Sequence, residues 1–207
     1  YPVEFMAALM TSVIDNPDKC AEYILHCREM KIKILPPSVN SGLGPFTSED
    51  GKIRYGLYAI KSIGRGVIDM IVSERTARGP YASIRDFIDR TYGKDINKRA
   101  IENLIKAGAL DGLGGTRKQL MQVYARVLDA AAADSKEKMD GQLSLFDFMS
   151  PETKQQFEIR LPEVGEYSKE EKLAFEKEVL GVYLSGHPLE DWTDLLRMHV
   201  SAVSSDF

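Results

Sequence analysis

The sequence predicts a mainly α-helical protein with a tandem helix-hairpin-helix domain, a small β-hairpin and a partly extended linker. Apolar residues recur at helical spacing through most of the chain. A glycine-rich corner, Gly64-Arg65-Gly66, interrupts one such pattern, and related glycines return at Gly112 and Gly114. With 207 residues and a hydrophobic share of 43%, the chain is long enough to bury a core.

The first part of the chain is predicted to form two helices, a short strand and a hairpin. Apolar side chains in residues 2–13 fall on one helical face. Asn16 and Pro17 provide an N-cap and a first-turn proline, so a second helix is expected to begin there and to end near Met30. Alternating apolar residues then indicate a strand, and Glu49-Asp50-Gly51 marks the turn of a small β-hairpin.

A first helix-hairpin-helix unit is predicted around the glycine-rich corner. Apolar residues fit one helical face in residues 57–63 and another in residues 67–71. The corner between them is too short for a loop and too rich in glycine for a helix interior. Its bare N–H groups would lie at the positive end of the second helix, flanked by Lys61 and Arg65, which suits one phosphate of a nucleic-acid backbone. The alternative is that the corner is only a tight turn in a helical bundle.

A repeat and the local charge favour contact with DNA. The segment Ala59–Gly64 returns as Ala109–Gly114, with Asp111 in the place of Lys61, so the second copy is expected to hold a phosphate more weakly. Residues 51–125 contain 14 Lys and Arg against 7 Asp and Glu, although the whole chain carries a net charge of −4. Such a surface would hold the DNA backbone without reading the bases. The residues predicted to bind DNA are Lys61, Ile63, Gly64, Arg65, Gly66, Lys98, Arg99, Gly112, Gly114, Gly115, Arg117 and Lys118.

Four further helices are predicted from their N-caps. Ser83, Asn97, Thr116 and Ser168 each precede an apolar helical pattern. Three of them have a partner that would complete a capping box, namely Asp86, Gln119 and Glu171. The last of these helices is expected to end near Gly186.

The chain between residues 132 and 167 is predicted to be a polar linker with one apolar stretch. The helical pattern fades from about Ala132, and the linker contains Gln142-Leu143-Ser144-Leu145-Phe146. One alternative is that these apolar side chains fold back onto the preceding helices, which the spacing alone favours. The other is that they form an exposed peptide that docks into a pocket on another protein.

Composition and cysteine spacing argue against several other classes. No apolar run approaches the ~20 residues needed to span a membrane, and the first residues show no signal peptide. Cys20 and Cys27 lie on one helical face and are predicted to be buried, reduced thiols of a cytoplasmic protein. No metal site and no catalytic residue is predicted. Because Tyr1 is not an initiator methionine, we expect the chain to be part of a longer protein.

Several short segments occur in a characteristic order. They are Tyr1-Pro2-Val3-Glu4-Phe5-Met6-Ala7-Ala8, Lys33-Ile34-Leu35-Pro36-Pro37-Ser38-Val39-Asn40-Ser41, Tyr55-Gly56-Leu57-x-Ala59-Ile60-Lys61 with Gly64-x-Gly66, Asn97-Lys98-Arg99, Leu104-Ile105-x-Ala107-Gly108-Ala109 and Leu184-Ser185-Gly186-His187-Pro188. Together they resemble the alpha subunit of bacterial DNA polymerase III, a C-family replicative DNA polymerase. The resemblance covers nearly all of the chain.

The resemblance implies a domain organisation. Residues 1–50 would be the end of a fingers domain, and residues 51–131 a tandem helix-hairpin-helix DNA-binding region. Residues 132–167 would be a linker with an internal motif that binds the sliding clamp, and residues 168–207 a helix and the lead-in to an OB domain. The clamp-binding residues would be Gln142, Leu143, Ser144, Leu145 and Phe146. By this analogy Leu145 and Phe146 fill the hydrophobic pocket of the clamp, so the resemblance favours the docking peptide over the folded-back one.

The resemblance also implies what the chain does. The family joins nucleotides on a template with palm carboxylates that hold two divalent metal ions, expected to be Mg²⁺. The sequence shows no such carboxylate set, so this chain is expected to be catalytically silent and to bind no cofactor of its own. Its expected partners are duplex or primer-template DNA, the sliding clamp and other replicase subunits, in the cytoplasm and away from membranes. The alternatives are a noncatalytic DNA-binding and clamp-binding scaffold of a repair protein, and a helical domain whose basic segment contacts an acidic protein.

Overall fold

The computed structural model describes residues 1–94, 96–139, 160–189 and 192, and this part of the chain is mainly α-helical, as the sequence predicts. A small three-stranded sheet follows the first two helices in the chain. The α-helices are α1 (Pro2–Ser12), α2 (Pro17–Glu29), α3 (Arg65–Arg78), α4 (Ile84–Thr91), α5 (Lys98–Lys106), α6 (Arg117–Met139) and α7 (Lys169–Leu180). The strands are β1 (Ile34–Leu35), β2 (Thr47–Glu49) and β3 (Lys52–Arg54), and a single 3-10 turn covers Leu57–Ala59.

Five of the helices begin at the polar caps that the sequence predicts. At the starts of α2 and α5, the side-chain oxygens of Asn16 and Asn97 accept a hydrogen bond from a first-turn N–H (3.1 and 2.8 Å). The hydroxyl groups of Ser83, Thr116 and Ser168 do the same for α4, α6 and α7 (3.1, 3.2 and 3.1 Å). At Thr116 and Ser168 a side chain in the first turn accepts from the N–H of the cap, which completes a capping box.

The central strand of the sheet is β3, which pairs antiparallel with β2 and parallel with β1. Asp50 and Gly51 form the turn between β2 and β3, and both have a positive φ (50° and 73°), as in the tight turns that match strand twist. The hairpin prediction is therefore confirmed. The sequence does not predict the parallel pairing, which is made by the N–H groups of Ile53 and Tyr55 as they donate to carbonyls at β1 (2.9 and 3.0 Å).

One hydrophobic core runs through the helices and includes the inner side of the sheet. Fully buried side chains come from α3, α4, α5 and β3, for example Ile68, Phe87, Leu104 and Ile53. Burial of this kind is the main favourable term in folding. Within the residues that the structure describes, no helix has both the length and the apolar character needed to cross a membrane.

Both cysteines are buried in α2, as the sequence predicts. Cys20 and Cys27 are 2% and 0% exposed, and the Sγ of Cys20 lies 3.4 Å from the carbonyl oxygen of Val13. Burial raises the pKa of the Cys20 thiol to about 11 and also raises the pKa of Cys27. Both side chains therefore remain protonated thiols at neutral pH.

Two helix ends differ from the sequence prediction. α6 continues to Met139 and so extends into residues 132–167, the predicted linker. The alanine run at 130–133 and the charged residues after it favour helix, and this propensity outweighs the loss of an apolar pattern. α7 ends at Leu180 instead of near Gly186, because Gly181 adopts a left-handed conformation (φ 80°) and closes the helix with its N–H.

Candidate nucleic-acid interface

The first glycine-rich corner lies on the surface at the start of α3. Gly64 is the N-cap of the helix, with Arg65 and Gly66 in its first turn, and all three are exposed. A Cβ atom built on Gly64 or Gly66 would meet no heavy atom within 4 Å, so the space in front of this backbone is open. An α-helix leaves its first N–H groups without intrahelical acceptors. A phosphate oxygen could therefore reach these amides directly.

The segment before the corner is not the helix that the sequence predicts over residues 57–63. Only one 3-10 turn forms there, and Ile60 is already extended (ψ 119°). The reason is a distant partner, because the N–H of Lys61, which a helix would bond to the carbonyl of Leu57, donates instead to the carbonyl of Val179 (2.9 Å). The N–H groups of Leu57 and Tyr58 donate to the carbonyls of Leu43 and Gly44 (both 2.9 Å), and these bonds fix the start of the segment.

The backbone just before the corner is fixed from both sides. The N–H of Lys61 donates to the carbonyl of Val179 in α7, and the side-chain amide of Asn103 in α5 donates to the carbonyl of Lys61 (both 2.9 Å). Ser62 has a positive φ of 62°, which turns the chain toward the helix. Ile63 is only 8% exposed, so this predicted DNA-binding residue belongs to the core and supports the corner from below.

The charged side chains of this corner are exposed. The guanidinium group of Arg65 pairs with Asp15 (2.8 Å) and lies 5.1 Å from the ring centre of Tyr58. Lys61 is exposed, and it has no carboxylate partner among the described residues. Exposed pairs such as Arg65 with Asp15 contribute about 0–1 kcal/mol, so a phosphate can take the place of the carboxylate at small cost.

The second unit connects α5 to α6 and matches the helix-hairpin-helix prediction more closely. Residues 107–116 form the turn between the two helices, and the three glycines Gly112, Gly114 and Gly115 are exposed. Gly114 and Gly115 have positive φ values of 79° and 84°, which glycine adopts without strain. The space in front of Gly115 is filled, because a Cβ atom there would lie 2.6 Å from the side chain of Leu161.

Arg117, a predicted DNA-binding residue, is buried and paired inside the protein. Its side chain is 7% exposed, and its Nε and Nη2 atoms donate to the carboxylate of Asp111 (2.9 Å each). Nη1 donates to the carbonyl of Lys106 (3.3 Å) and lies 3.6 Å from the buried carboxylate of Glu176 in α7. Burial opposes the charge, but Asp111 outweighs it, so the pKa of Arg117 is raised. In this structure the guanidinium group is not available to DNA, and Asp111 serves as its partner.

The remaining predicted cations lie at the starts of α5 and α6. Lys98 is exposed and pairs with Asp129 (3.0 Å), and Arg99 is exposed beside it. Lys118 is half-buried, with its Nζ 5.5 Å from the ring centre of Tyr167. The structure therefore leaves Arg99 and the charged end of Lys98 facing solvent, whereas Lys118 is covered in part by the segment before α7.

The surface of the basic segment is less positive than its count along the chain suggests. Several cations within residues 51–125 pair with acids from outside that range. The pairs are Arg54 with Glu49, Arg65 with Asp15, Arg85 with Asp134, Lys98 with Asp129, Lys106 with Glu178 and Arg117 with Glu176. A count along the chain cannot detect such pairs, because the partners become neighbours only in the fold.

α7 is predicted as a helix, but the sequence does not predict that it takes part in this site. Glu176 is 2% exposed, and its carboxylate accepts from the N–H groups of Leu184 and Ser185 (2.8 and 3.0 Å). The carbonyl of Leu180 accepts from the hydroxyl of Tyr55 (3.1 Å). Because α7 also contacts Lys61 and Arg117, it ties the first unit to the second. The sequence feature that could have indicated this role is Glu176, a glutamate within an apolar helical pattern.

The remaining predictions for the site concern a metal and a docking peptide. In the parts of the chain that the structure describes, no group of three or more His, Cys, Asp or Glu side chains is placed to hold a metal ion. The predicted clamp-binding residues Gln142–Phe146 lie outside the described residues.

Comparison with known proteins identifies the family to which this chain belongs. A family model described as a helix-hairpin-helix motif matches residues 31–120, which includes both glycine corners and the first turn of α6. The DNA polymerase III subunit alpha of Mycobacterium leprae is 40% identical over 197 residues, or 95% of this chain. Those of Chlamydia pneumoniae and Vibrio cholerae are 40% and 38% identical over 99% and 97% of the chain. The chain belongs to the DNA polymerase III alpha family. It spans 17%, 16% and 17% of the lengths of these three relatives.

Proposed function

We propose that this chain is the part of a bacterial DNA polymerase III alpha subunit that holds duplex DNA by its backbone. The observation that carries the proposal is the exposed corner at Gly64–Gly66, where the open start of α3 lies within a helix-hairpin-helix match. Backbone N–H groups at a helix start bind a phosphate oxygen without contacting a base. The contact is therefore independent of DNA sequence, as the handling of newly copied DNA requires.

The cations beside the corner add attraction to this contact. Lys61 is an exposed cation three residues before Gly64, with its Nζ near Gly181 at the end of α7, and Arg65 needs only to exchange Asp15 for a phosphate. Each phosphate neutralised on duplex DNA releases condensed counterions, so binding weakens as salt rises. The proposal thus predicts duplex affinity that depends strongly on salt and little on sequence.

Fluorescence anisotropy with a labelled DNA duplex at several salt concentrations tests this proposal. Replacing Lys61 and Arg65 together by alanine should weaken binding and reduce the slope of log K against log salt by roughly 1–2, since about 0.9 is expected for each lost phosphate contact. The matched control replaces two other exposed lysines, Lys33 and Lys52, by alanine. Equal losses in both double variants, or no loss in the first, would contradict the assignment of the corner.

We also propose that the parent protein is a DNA-directed DNA polymerase and that this chain alone does not extend a primer. The support is the family match together with the small share of the relatives that the chain spans. The catalytic carboxylates and their metal ions would then lie elsewhere in the parent protein. A primer-extension assay with Mg²⁺ and all four nucleotides tests this, and template-dependent extension by the purified chain would contradict it.

The third part of the proposal is that Gln142–Phe146 binds the sliding clamp. Its support is the order of apolar residues in the sequence, Leu143, Leu145 and Phe146 after Gln142. Two weak attachments, one to DNA and one to the clamp that encircles it, would reinforce each other through effective concentration. Replacing Leu145 and Phe146 by alanine should abolish clamp binding in surface plasmon resonance and leave duplex affinity unchanged. The control Met149→Ala changes an apolar residue just outside the motif and should retain clamp binding.

A further inference from the structure

The segment from Arg160 to Ser168 covers part of the second glycine corner, at Gly115, whereas the space in front of Gly112 and Gly114 is open. The side chain of Leu161 fills the space in front of Gly115. The side-chain amide of Gln119, in the first turn of α6, donates to the carbonyl of Pro162 (2.8 Å). The sequence predicts a linker here, but the structure shows a segment packed against the unit that is predicted to hold DNA.

Within this segment, the carboxylate of Glu166 lies at the start of α6. It accepts hydrogen bonds from the backbone N–H groups of Arg117 (3.3 Å), Lys118 (3.2 Å) and Tyr167 (2.8 Å). Arg117 and Lys118 are the first two residues of α6, so their amides have no acceptor within the helix. Partial burial opposes ionisation of Glu166, but the three donors outweigh it and hold its pKa below the ordinary value. The carboxylate is therefore ionised at neutral pH.

The two units differ at the first two residues of the helix that follows each corner. In the first unit, the amides of Arg65 and Gly66 face open space, and no carboxylate from the described residues is bonded to them. In the second unit, an internal anion already occupies the amides of Arg117 and Lys118. A carboxylate and a phosphate carry the same sign of charge and use the same donors, so they cannot occupy the site together.

We propose that Glu166 occupies the phosphate position of the second helix-hairpin-helix unit and closes this unit to DNA until the 160–168 segment moves away. The inference rests on the proposed function, because it concerns the regulation of the same DNA-binding surface. According to this proposal, the chain with Glu166 in place contacts DNA through the first unit. Release of the segment adds a second phosphate contact, so whatever displaces the segment strengthens the hold on duplex DNA.

Glu166→Ala tests the proposal in the full 207-residue chain, with Glu163→Ala as the matched control. Both residues are exposed carboxylates of the same segment, and Glu163 makes no hydrogen bond to α6 in the described part of the chain. Glu166→Ala should tighten duplex binding about three- to tenfold near 0.1 M salt and should increase the salt slope by about 0.9, the value for one added phosphate. Glu163→Ala should change affinity less than twofold. Equal tightening in both variants, or none in Glu166→Ala, would overturn the proposal.

A measurement on the unaltered chain gives an independent answer. In an NMR titration with duplex DNA, the amide signals of Arg65 and Gly66 should shift, whereas the amide signal of Lys118 should stay in place. In Glu166→Ala the Lys118 signal should shift as well. A shift of Lys118 in the unaltered chain that matches those of Arg65 and Gly66 would show that the second unit is already open. The double variant at Lys61 and Arg65 tests the proposed function, whereas Glu166→Ala and the Lys118 signal test this inference. The inference can therefore fail while the proposed function stands.

Discussion

Replacing Arg117 by methionine tests whether the buried ion pairs at the start of α6 stabilise the fold. The substitution keeps an unbranched side chain but removes the guanidinium group that bonds Asp111 and the carbonyl of Lys106. It also leaves Glu176 without its cation, although that carboxylate is only 2% exposed. Removing one partner of a buried ion pair destabilises the fold by more than the intact pair stabilises it, because the remaining charge is buried without compensation.

The magnitude follows from the surroundings of the two carboxylates. Removing one partner of a buried pair costs about 3–5 kcal/mol. Asp111 has a side chain 46% exposed and will be rehydrated, and Glu176 keeps two backbone donors, at Leu184 and Ser185. We therefore expect the lower end of the range, about 3 kcal/mol. With a urea slope of about 2 kcal/mol per molar, the midpoint of unfolding should fall by roughly 1.5 M.

Urea unfolding followed by circular dichroism measures this loss. Arg99→Met is the matched control, because Arg99 is exposed and such substitutions usually change stability by less than about 0.5 kcal/mol. Adding Glu176→Gln to Arg117→Met should recover part of the loss, since it removes the unpaired charge. A loss below about 1 kcal/mol for Arg117→Met, or no recovery in the double variant, would refute this account of the ion pairs.

Three further predictions follow from the caps and the titrating groups. Cys20 and Cys27 should react with a thiol reagent at pH 8 only after unfolding in denaturant, and rapid labelling of the native chain would contradict their burial. Asn97→Ala removes the acceptor at the start of α5 and should lower the free energy of unfolding by about 1 kcal/mol, whereas Asn97→Ser should keep most of it. The folded-state pKa of Glu166 is depressed, so its contribution to stability is present above the ordinary value of 4.5 and is lost as pH falls through the depressed pKa. Unfolding followed between pH 7 and 3 should show a steeper loss for the unaltered chain than for Glu166→Gln, and parallel curves would argue against the bonds to α6.

Local features of this fold could be predicted from the sequence because their causes are local. Asn16, Ser83 and Asn97 cap helices where predicted, since each cap depends on one side chain and an N–H in the next turn. The β-hairpin is also local, because Asp50 and Gly51 set the turn by their own backbone preferences. Such signals do not depend on how the rest of the chain folds.

The errors come from interactions between distant parts of the chain. The predicted helix at 57–63 fails because the N–H of Lys61 bonds to Val179 in α7 and not to Leu57, which the apolar spacing does not reveal. The burial of Arg117 is missed because a count of charges cannot show that Glu176, far along the chain, lies against it. The exposure of the first corner, by contrast, is predicted correctly, because only glycines and a short cation-flanked turn are needed to infer it.

The position of both corners depends on α7, and this dependence links the hold on DNA to the chain that follows the linker. The carbonyl of Val179 fixes the backbone of Lys61, and Glu176 pairs with Arg117 at the start of α6. Glu166 lies just before α7 in the chain and bonds to the start of α6. A displacement that removes Glu166 but keeps α7 in place would open the second corner without moving the first. A displacement that includes α7 would instead loosen the support of Lys61, so we expect duplex binding to tighten in the first case and to weaken in the second.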